Sequence, residues 1–218
     1  MKKIKDEHKR VFDIRKFKFD KNKRINLHQF THIRGYHGCR VLDRESYKKN
    51  GLYCCSCEEA WKRCLQAFTN IDVSFDTLKQ IFNERWNDCY SKKINQNIYF
   101  LLDKKGFDID RCGSYVFYGS EFLYSVAVRI IGYSFSKKHE QFLNNIGKPS
   151  VITCDVPSEE IMPWFFDSIE ELLNTNGINS SLAFAVKQVT PENIVSIRHY
   201  KGWISYWKEG VGLHRIRL

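Results

Sequence analysis

Proline is scarce in this chain, and all four prolines lie beyond residue 148. Long apolar runs are missing as well. Ile98-Tyr99-Phe100-Leu101-Leu102 falls far short of the roughly 20 residues that cross a bilayer. The charged N-terminus is not followed by the apolar stretch of a signal peptide, so the chain reads as neither exported nor membrane-spanning, and as cytoplasmic. No Gly-x-Gly-x-x-Gly and no P-loop pattern occurs, which removes support for the ordinary dinucleotide and triphosphate folds. No repeat, low-complexity tract or Pro/Gly/Ser linker divides the 218 residues, a length that fits one domain with a sizeable core.

What is present is globular: 43% of residues are hydrophobic and 15% aromatic, which excludes wholesale disorder. Eight cysteines occur, three of them in Cys54-Cys55-Ser56-Cys57. Cys54, Cys57 and Cys64 carry part of a zinc spacing, but no second Cys-x-x-Cys or His-x-x-x-His follows to complete four ligands. No metal site is assigned, and the thiols read as reduced and mostly buried.

The net charge of +10 is unevenly placed, because residues 1–24 hold eleven Lys or Arg against four acids. We divide the chain into this basic arm (1–24) and a single domain (25–218). Such an arm releases counterions from a polyanion such as RNA or DNA; it reads equally as a solubilising tail or a surface for an acidic partner. Phe12, Ile14, Phe17 and Phe19 alternate loosely with charge, so part of it also fits a first strand.

Ile25 to Val41 is strand-like. Asp43 to Lys49 reads as a short helix stopped by Asn50-Gly51. Phe75 to Lys92 carries one apolar face at helical spacing, and 98–102 is a buried strand. Ser114-Tyr115-Val116-Phe117-Tyr118 is β-branched and aromatic, hence strand. Ser120 then caps a helix from Glu121 to about Gly132. Val151 to Val156 is a strand closed by Pro157. Ser158-Glu159-Glu160 opens a helix ending near Leu173 before Asn176-Gly177, with Pro163 inside its first stretch. Leu182 to Val189 and Ile194 to Ile197 are late strands. Strands and helices mix without a strict βαβ alternation, which points to the α+β class.

Three clusters carry candidate chemistry. The first is Gly35-Tyr36-His37-Gly38-Cys39-Arg40, followed eleven residues later by Gly51-Leu52. A strand ending in His-Gly sets an imidazole beside backbone that a ligand can approach closely. A surface histidine beside a turn is the plain alternative. The second is Cys112 to Glu121, with Tyr115, Tyr118, Ser120 and Glu121. The third is Ser180 to Lys187 and then Thr190-Pro191-Glu192-Asn193-Ile194.

The first cluster resembles the first block of ADP-ribosyltransferases of the histidine-containing type: an aromatic-His-Gly-(Ser/Thr)-Arg strand, a short helix, then Gly-Leu. The resemblance implies a split antiparallel sheet with flanking helices and NAD as substrate. It implies that His37 bonds the adenosine-side ribose and that the Gly38 backbone holds the nicotinamide amide. Arg40 becomes a candidate for the pyrophosphate, where a guanidinium fork suits two oxygens. Cys39 departs from the family's hydroxyl residue. The second cluster is similar to the family's Gly-x-Tyr strand, on which either Tyr115 or Tyr118 can be laid as the residue that stacks on nicotinamide. Ser120 stands beside them and also has a full explanation as a helix cap.

The family's late glutamate stabilises the oxocarbenium-like centre as nicotinamide leaves. Here Leu182 or Ala183 stands in its place. Three explanations compete: Glu121 is the acid, position 183 is an inactivating alanine, or only nucleotide binding remains. We take His37, Tyr118 and Glu121 as the catalytic candidates. His37, Gly38, Arg40, Tyr115 and Ser120 are the NAD-binding ones. The expected function is ADP-ribosyl transfer to a macromolecule, RNA in preference to DNA, in a toxin or phage-defence setting, with an antitoxin protein as a further partner. The alternatives are a non-catalytic nucleic-acid- or partner-binding module with a degenerate cleft, and a metal-independent ribonuclease.

Overall fold

In the computed structural model, residues 9–18, 24–90, 97–107, 113–133, 136–175, 182–200, 203–208 and 211–216 are described. The elements run β1 (Val11–Phe12), β2 (His32–Val41), α1 (Arg44–Asn50), β3 (Leu52–Tyr53), α2 (Cys57–Ala67), α3 (Phe75–Tyr90), β4 (Ile98–Leu101), α4 (Gly113–Tyr118), α5 (Glu121–Ile131) and α6 (Lys137–Asn145). They continue with β5 (Lys148–Pro157), α7 (Pro163–Thr175), β6 (Ala183–Val186), β7 (Gln188–Val189), β8 (Ile194–His199), β9 (Trp203–Lys208) and β10 (Val211–Ile216). The class is mixed α+β. The main sheet has the order β6-β4-β2-β5-β8 with antiparallel neighbours, and β1 joins β2 in parallel through Val11↔His32 and Phe12↔Ile33. β3 with β7 and β9 with β10 form separate two-stranded ladders.

The central pair is β2 with β5, ten residues each, from His32↔Pro157 to Val41↔Lys148. Alternation along β2 sorts its side chains onto two faces. Ile33, Cys39 and Val41 enter the main core with Ile152, Cys154, Val156 and the α7 residues Phe166, Ile169 and Leu173. Gly35 lies on this face because a Cβ there would stand 2.6 Å from the Phe184 ring. On the other face Tyr36 joins Leu101, Phe107, Val116 and Val151. Beyond that face, α2, α3, α5 and α6 enclose their own core around Cys64, Phe82, Phe122 and Phe142.

α4 links these layers. Its Val116 packs toward the sheet, while Phe117 and Tyr118 enter the helical core. The strand expected over 114–118 is therefore corrected to a helix. It ends at Gly119 (φ +73°), whose N–H bonds the Tyr115 carbonyl at 2.8 Å. Strand propensity of β-branched and aromatic residues reflects packing on a pleated surface; here the surfaces on offer are a sheet on one side and a helix layer on the other.

Other boundaries follow their local chemistry. Gly51 closes α1, Ser120 caps α5 and Gly132 closes it, as expected, whereas Asp43, expected inside the first helix, stands just before it as the cap. The helix expected from Ser158 begins instead at Pro163, after a short 3-10 turn at Ser158–Glu160. Proline suits the first helical position, where its missing N–H has no partner to lose. Leu182 to Val189 divides into β6 and β7. Asn176-Gly177 lies outside the described residues.

Two helices escaped the sequence reading. α2 starts with a complete capping box, Ser56 with Glu59, whose Ser-x-x-Glu signature was in plain view beside the cysteines. Cys57 and Cys64, seven residues apart on α2, are separated by about 10 Å of helix, too far to share one ion. Among the described residues no group of three His, Cys, Asp or Glu forms a metal-holding cluster. α6 uses His139 in the same way: Ser136 donates its N–H to Nδ1 (3.2 Å), and Nε2–H faces the Gly132 carbonyl (3.0 Å).

Within the arm, Phe12 and Ile14 are buried in the main core and Asp13 is buried beside the sheet. No helix among the described residues is long and apolar enough to cross a membrane.

Candidate functional site

The site begins where β2 and β4 part. β4 pairs with β6 along its whole length but with β2 only at Tyr36↔Leu101. Leu102 donates its N–H to Leu182 on the β6 side, so alternation turns the peptide groups of Leu101 and Tyr99 toward β2. Tyr36 turns its own toward β4, and Gly38, two residues on, does the same. No ladder pair follows Tyr36 along that edge. Instead the His37 imidazole spans the gap, with Nδ1 2.9 Å from the Tyr99 carbonyl and its ring 5.6 Å from that of Phe100.

A carbonyl only accepts, so Nδ1 carries the proton and Nε2 keeps its lone pair. Burial lowers the His37 pKa, against the smaller opposing effect of the Tyr99 bond. The strand therefore presents a neutral imidazole acceptor next to an unladdered peptide edge. A nucleotide ribose hydroxyl suits the first and a carboxamide suits the second.

The remaining candidates occupy other places. Gly38 and Arg40 lie on the face opposite His37. A Cβ on Gly38 would stand 2.6 Å from Phe107 and 2.8 Å from Val116, so this glycine is required by packing under α4. Arg40 is buried, with Nε 3.0 Å from the Gly147 carbonyl and Nη1 2.8 Å from that of Phe117. Desolvation lowers its guanidinium to about 10. Gly119 passes so close that a Cβ would meet the Arg40 side chain at 2.7 Å. The first and second clusters are thus brought together, through Arg40, Gly119 and Val116.

The aromatic and acidic candidates are not brought to His37. Tyr118 is buried in the helical core, stacked on Tyr124 with ring centroids 3.8 Å apart, and burial raises its pKa. Tyr115 is exposed on α4. Ser120 accepts from the Leu123 N–H at 3.3 Å as the cap of α5, and Glu121 is exposed at the first position of that helix. Ala183 heads β6 opposite Leu101. The sheet separates His37 from α4 and everything that packs on it.

Sequence reasoning missed a charged cluster on the Tyr36 face. Arg34 grips Asp155 by two bonds (2.7 and 3.0 Å) and reaches Asp13 at 3.4 Å, while Lys9 meets Asp155 at 3.4 Å. Arg15 donates to the Tyr36 hydroxyl at 3.2 Å. Burial, and then the Asp13 charge, raise the Tyr36 pKa. The available signal was the two-residue step from Arg34 to Tyr36 along one strand face; nothing local to Asp13 ties it to them.

The histidines give the fold a pH dependence. Burial lowers His37 and His139, while burial together with Arg44 and Lys148 lowers His199. Their folded values lie below the unfolded value near 6.5. Between the two, the unfolded chain holds more protons, so stability is full above about pH 6.5 and falls as pH drops toward the folded values. The urea midpoint should be lower at pH 5 than at pH 7, and His139→Gln should reduce that difference. A midpoint flat across this window would contradict the assignment.

Comparison with protein-family models, curated proteins and solved structures finds no match to this chain.

Proposed function

We propose that the chain binds NAD by its nicotinamide end at the β2–β4 parting and acts as an ADP-ribosyltransferase on a macromolecular acceptor. The observation that carries this reading is the His37 imidazole bonded across the gap to Tyr99, beside the unladdered edge of Gly38. Its free Nε2 suits a ribose hydroxyl, and the Gly38 N–H and C=O suit the two ends of a carboxamide. The resemblance of the Tyr-His-Gly-Cys-Arg segment assigns the same roles. The basic arm supports RNA as acceptor through counterion release, and an acidic antitoxin would meet the same charge.

Transfer also needs a carboxylate beside the nicotinamide ribose. Glu121 is the proposed acid, yet it stands on α5 beyond α4, and alanine heads β6 at position 183. These placements favour a second reading, an NAD-binding module without catalysis. One experiment separates them. Calorimetry with NAD should show binding, weakened by about 1 to 2 kcal/mol in His37→Ala, the scale of one hydrogen bond and its orphaned partner. Nicotinamide release, measured with labelled NAD and total RNA, DNA and lysate protein, supports transfer if it occurs and disappears in Glu121→Gln. Binding without release selects the second reading, and absence of NAD binding sinks both.

A further inference from the structure

Where β2 leaves the sheet, a groove of about 580 Å³ opens between Arg40, Asn144, Gly147, Lys148, His199 and Tyr200. Its charge is of one sign. The Arg40 guanidinium, though lowered to about 10 by burial, is still cationic at neutral pH. Lys148 extends from the first residue of β5. Arg44 reaches over from α1 and donates Nε–H to His199 Nε2 at 2.8 Å. Among the described residues, neither Arg44 nor Lys148 forms an ion pair, and no acidic side chain lines the groove.

His199 records this imbalance. Because Nε2 accepts from Arg44, the ring proton sits on Nδ1 and is donated to Ser150 Oγ at 2.8 Å; Ser150 passes its own to the Lys148 carbonyl at 2.7 Å. The imidazole is thus fully bonded in its neutral form, with cations on two sides. A concave surface that gathers positive charge concentrates anions. Guanidinium and ammonium donors around a small polar hollow match the oxygens of a phosphate.

We propose that this groove binds a phosphate group, with Arg44 and Lys148 as its direct charge partners and His199 as a third donor once the anion is seated. The phosphate belongs either to the backbone of a nucleic-acid strand or to the pyrophosphate of a dinucleotide. The inference is independent of the His37–Gly38 reading, because it uses the far end of β2 and different side chains. A bound anion favours the imidazolium form and draws Arg44 away from Nε2, so it raises the His199 pKa.

The test follows the His199 ring by NMR in the full chain at about 50 mM salt, titrated separately with inorganic pyrophosphate, ADP-ribose and a single-stranded oligoribonucleotide. At least one ligand should raise the His199 pKa. The double variant Arg44→Gln, Lys148→Gln, at two exposed positions, should keep the native Tm and bind that ligand at least about tenfold more weakly, or 1.4 kcal/mol. If the oligoribonucleotide is the ligand, its log affinity against log salt should flatten by about 1.4, or roughly 0.7 for each lost phosphate contact. A response to ADP-ribose alone identifies the dinucleotide source. An unmoved His199 with all three ligands, or equal affinity in the double variant, overturns the proposal.

Discussion

Asp155→Ala is expected to cost about 3 to 5 kcal/mol of stability, the range for breaking a buried ion pair by removing one partner. Asp155 is 7% exposed at its side chain and Arg34 19%, and the pair is bidentate. The bond to Asp155 is the main reason the Arg34 guanidinium titrates above its ordinary value. That rise keeps the guanidinium charged throughout the neutral range, so titration of Arg34 does not make the pair's contribution vary with pH there. Without Asp155, Arg34 retains only the longer contact with Asp13, and Lys9 loses its partner. Urea unfolding measures the loss. The double variant Arg34→Met, Asp155→Leu should recover part of it, because an apolar pair of similar volume replaces the buried ions at little cost while Asp13 loses its arginine. A single-variant loss below about 1 kcal/mol would class the pair with exposed ones.

Gly51→Ala is expected to cost about 3 kcal/mol, summed from backbone strain and overpacking. Gly51 closes α1 at φ +78° and ψ −157°, a conformation that suits glycine. A Cβ there would stand 2.2 Å from the Val189 carbonyl oxygen, which belongs to the ladder partner of the next residue, Leu52. Backbone cannot step aside as a side-chain tip can. Gly132→Ala is the control: its φ is +83°, but nothing lies within 4 Å of the added carbon. Only the strain component remains there, about 1 to 2 kcal/mol. Equal losses at the two positions would mean that the clash at Val189 relaxes freely.

These two residues mark the limits of what was legible. Gly51 was readable as a helix stop because its signal is local, and the same holds for Ser120 and Gly132. The strand at 98–102 and the helix from Phe75 also announced themselves by pattern alone. The Arg34–Asp155 pair was not readable, since its partners lie more than a hundred residues apart and meet only through the β2–β5 register. α4 was misread because a run of four β-branched and aromatic residues, Tyr115 to Tyr118, carries no period long enough to distinguish strand from helix.

Part of the candidate site could have been read more sharply. His37 and Gly38 are adjacent in sequence, and the two-residue period of a strand already assigns their side chains to opposite faces. Tyr118 beside His37 would have required 114–118 to be a strand of the same sheet. As a helix, that segment turns Tyr118 into the aromatic core around Phe82 and Phe122 instead.

The β2–β5 ladder has a bearing on how the protein comes into being. The strand that carries His37 finds its main partner only in residues 148–157, so closing the central pair draws together the ends of a very long loop. Non-local pairing of this kind folds slowly, because loop entropy is lost before contacts repay it. During synthesis, β2 emerges from the ribosome long before β5 exists, and the helices of the second core are complete in the interval. The site strand is therefore expected to order late, on a helical layer whose chain is already made.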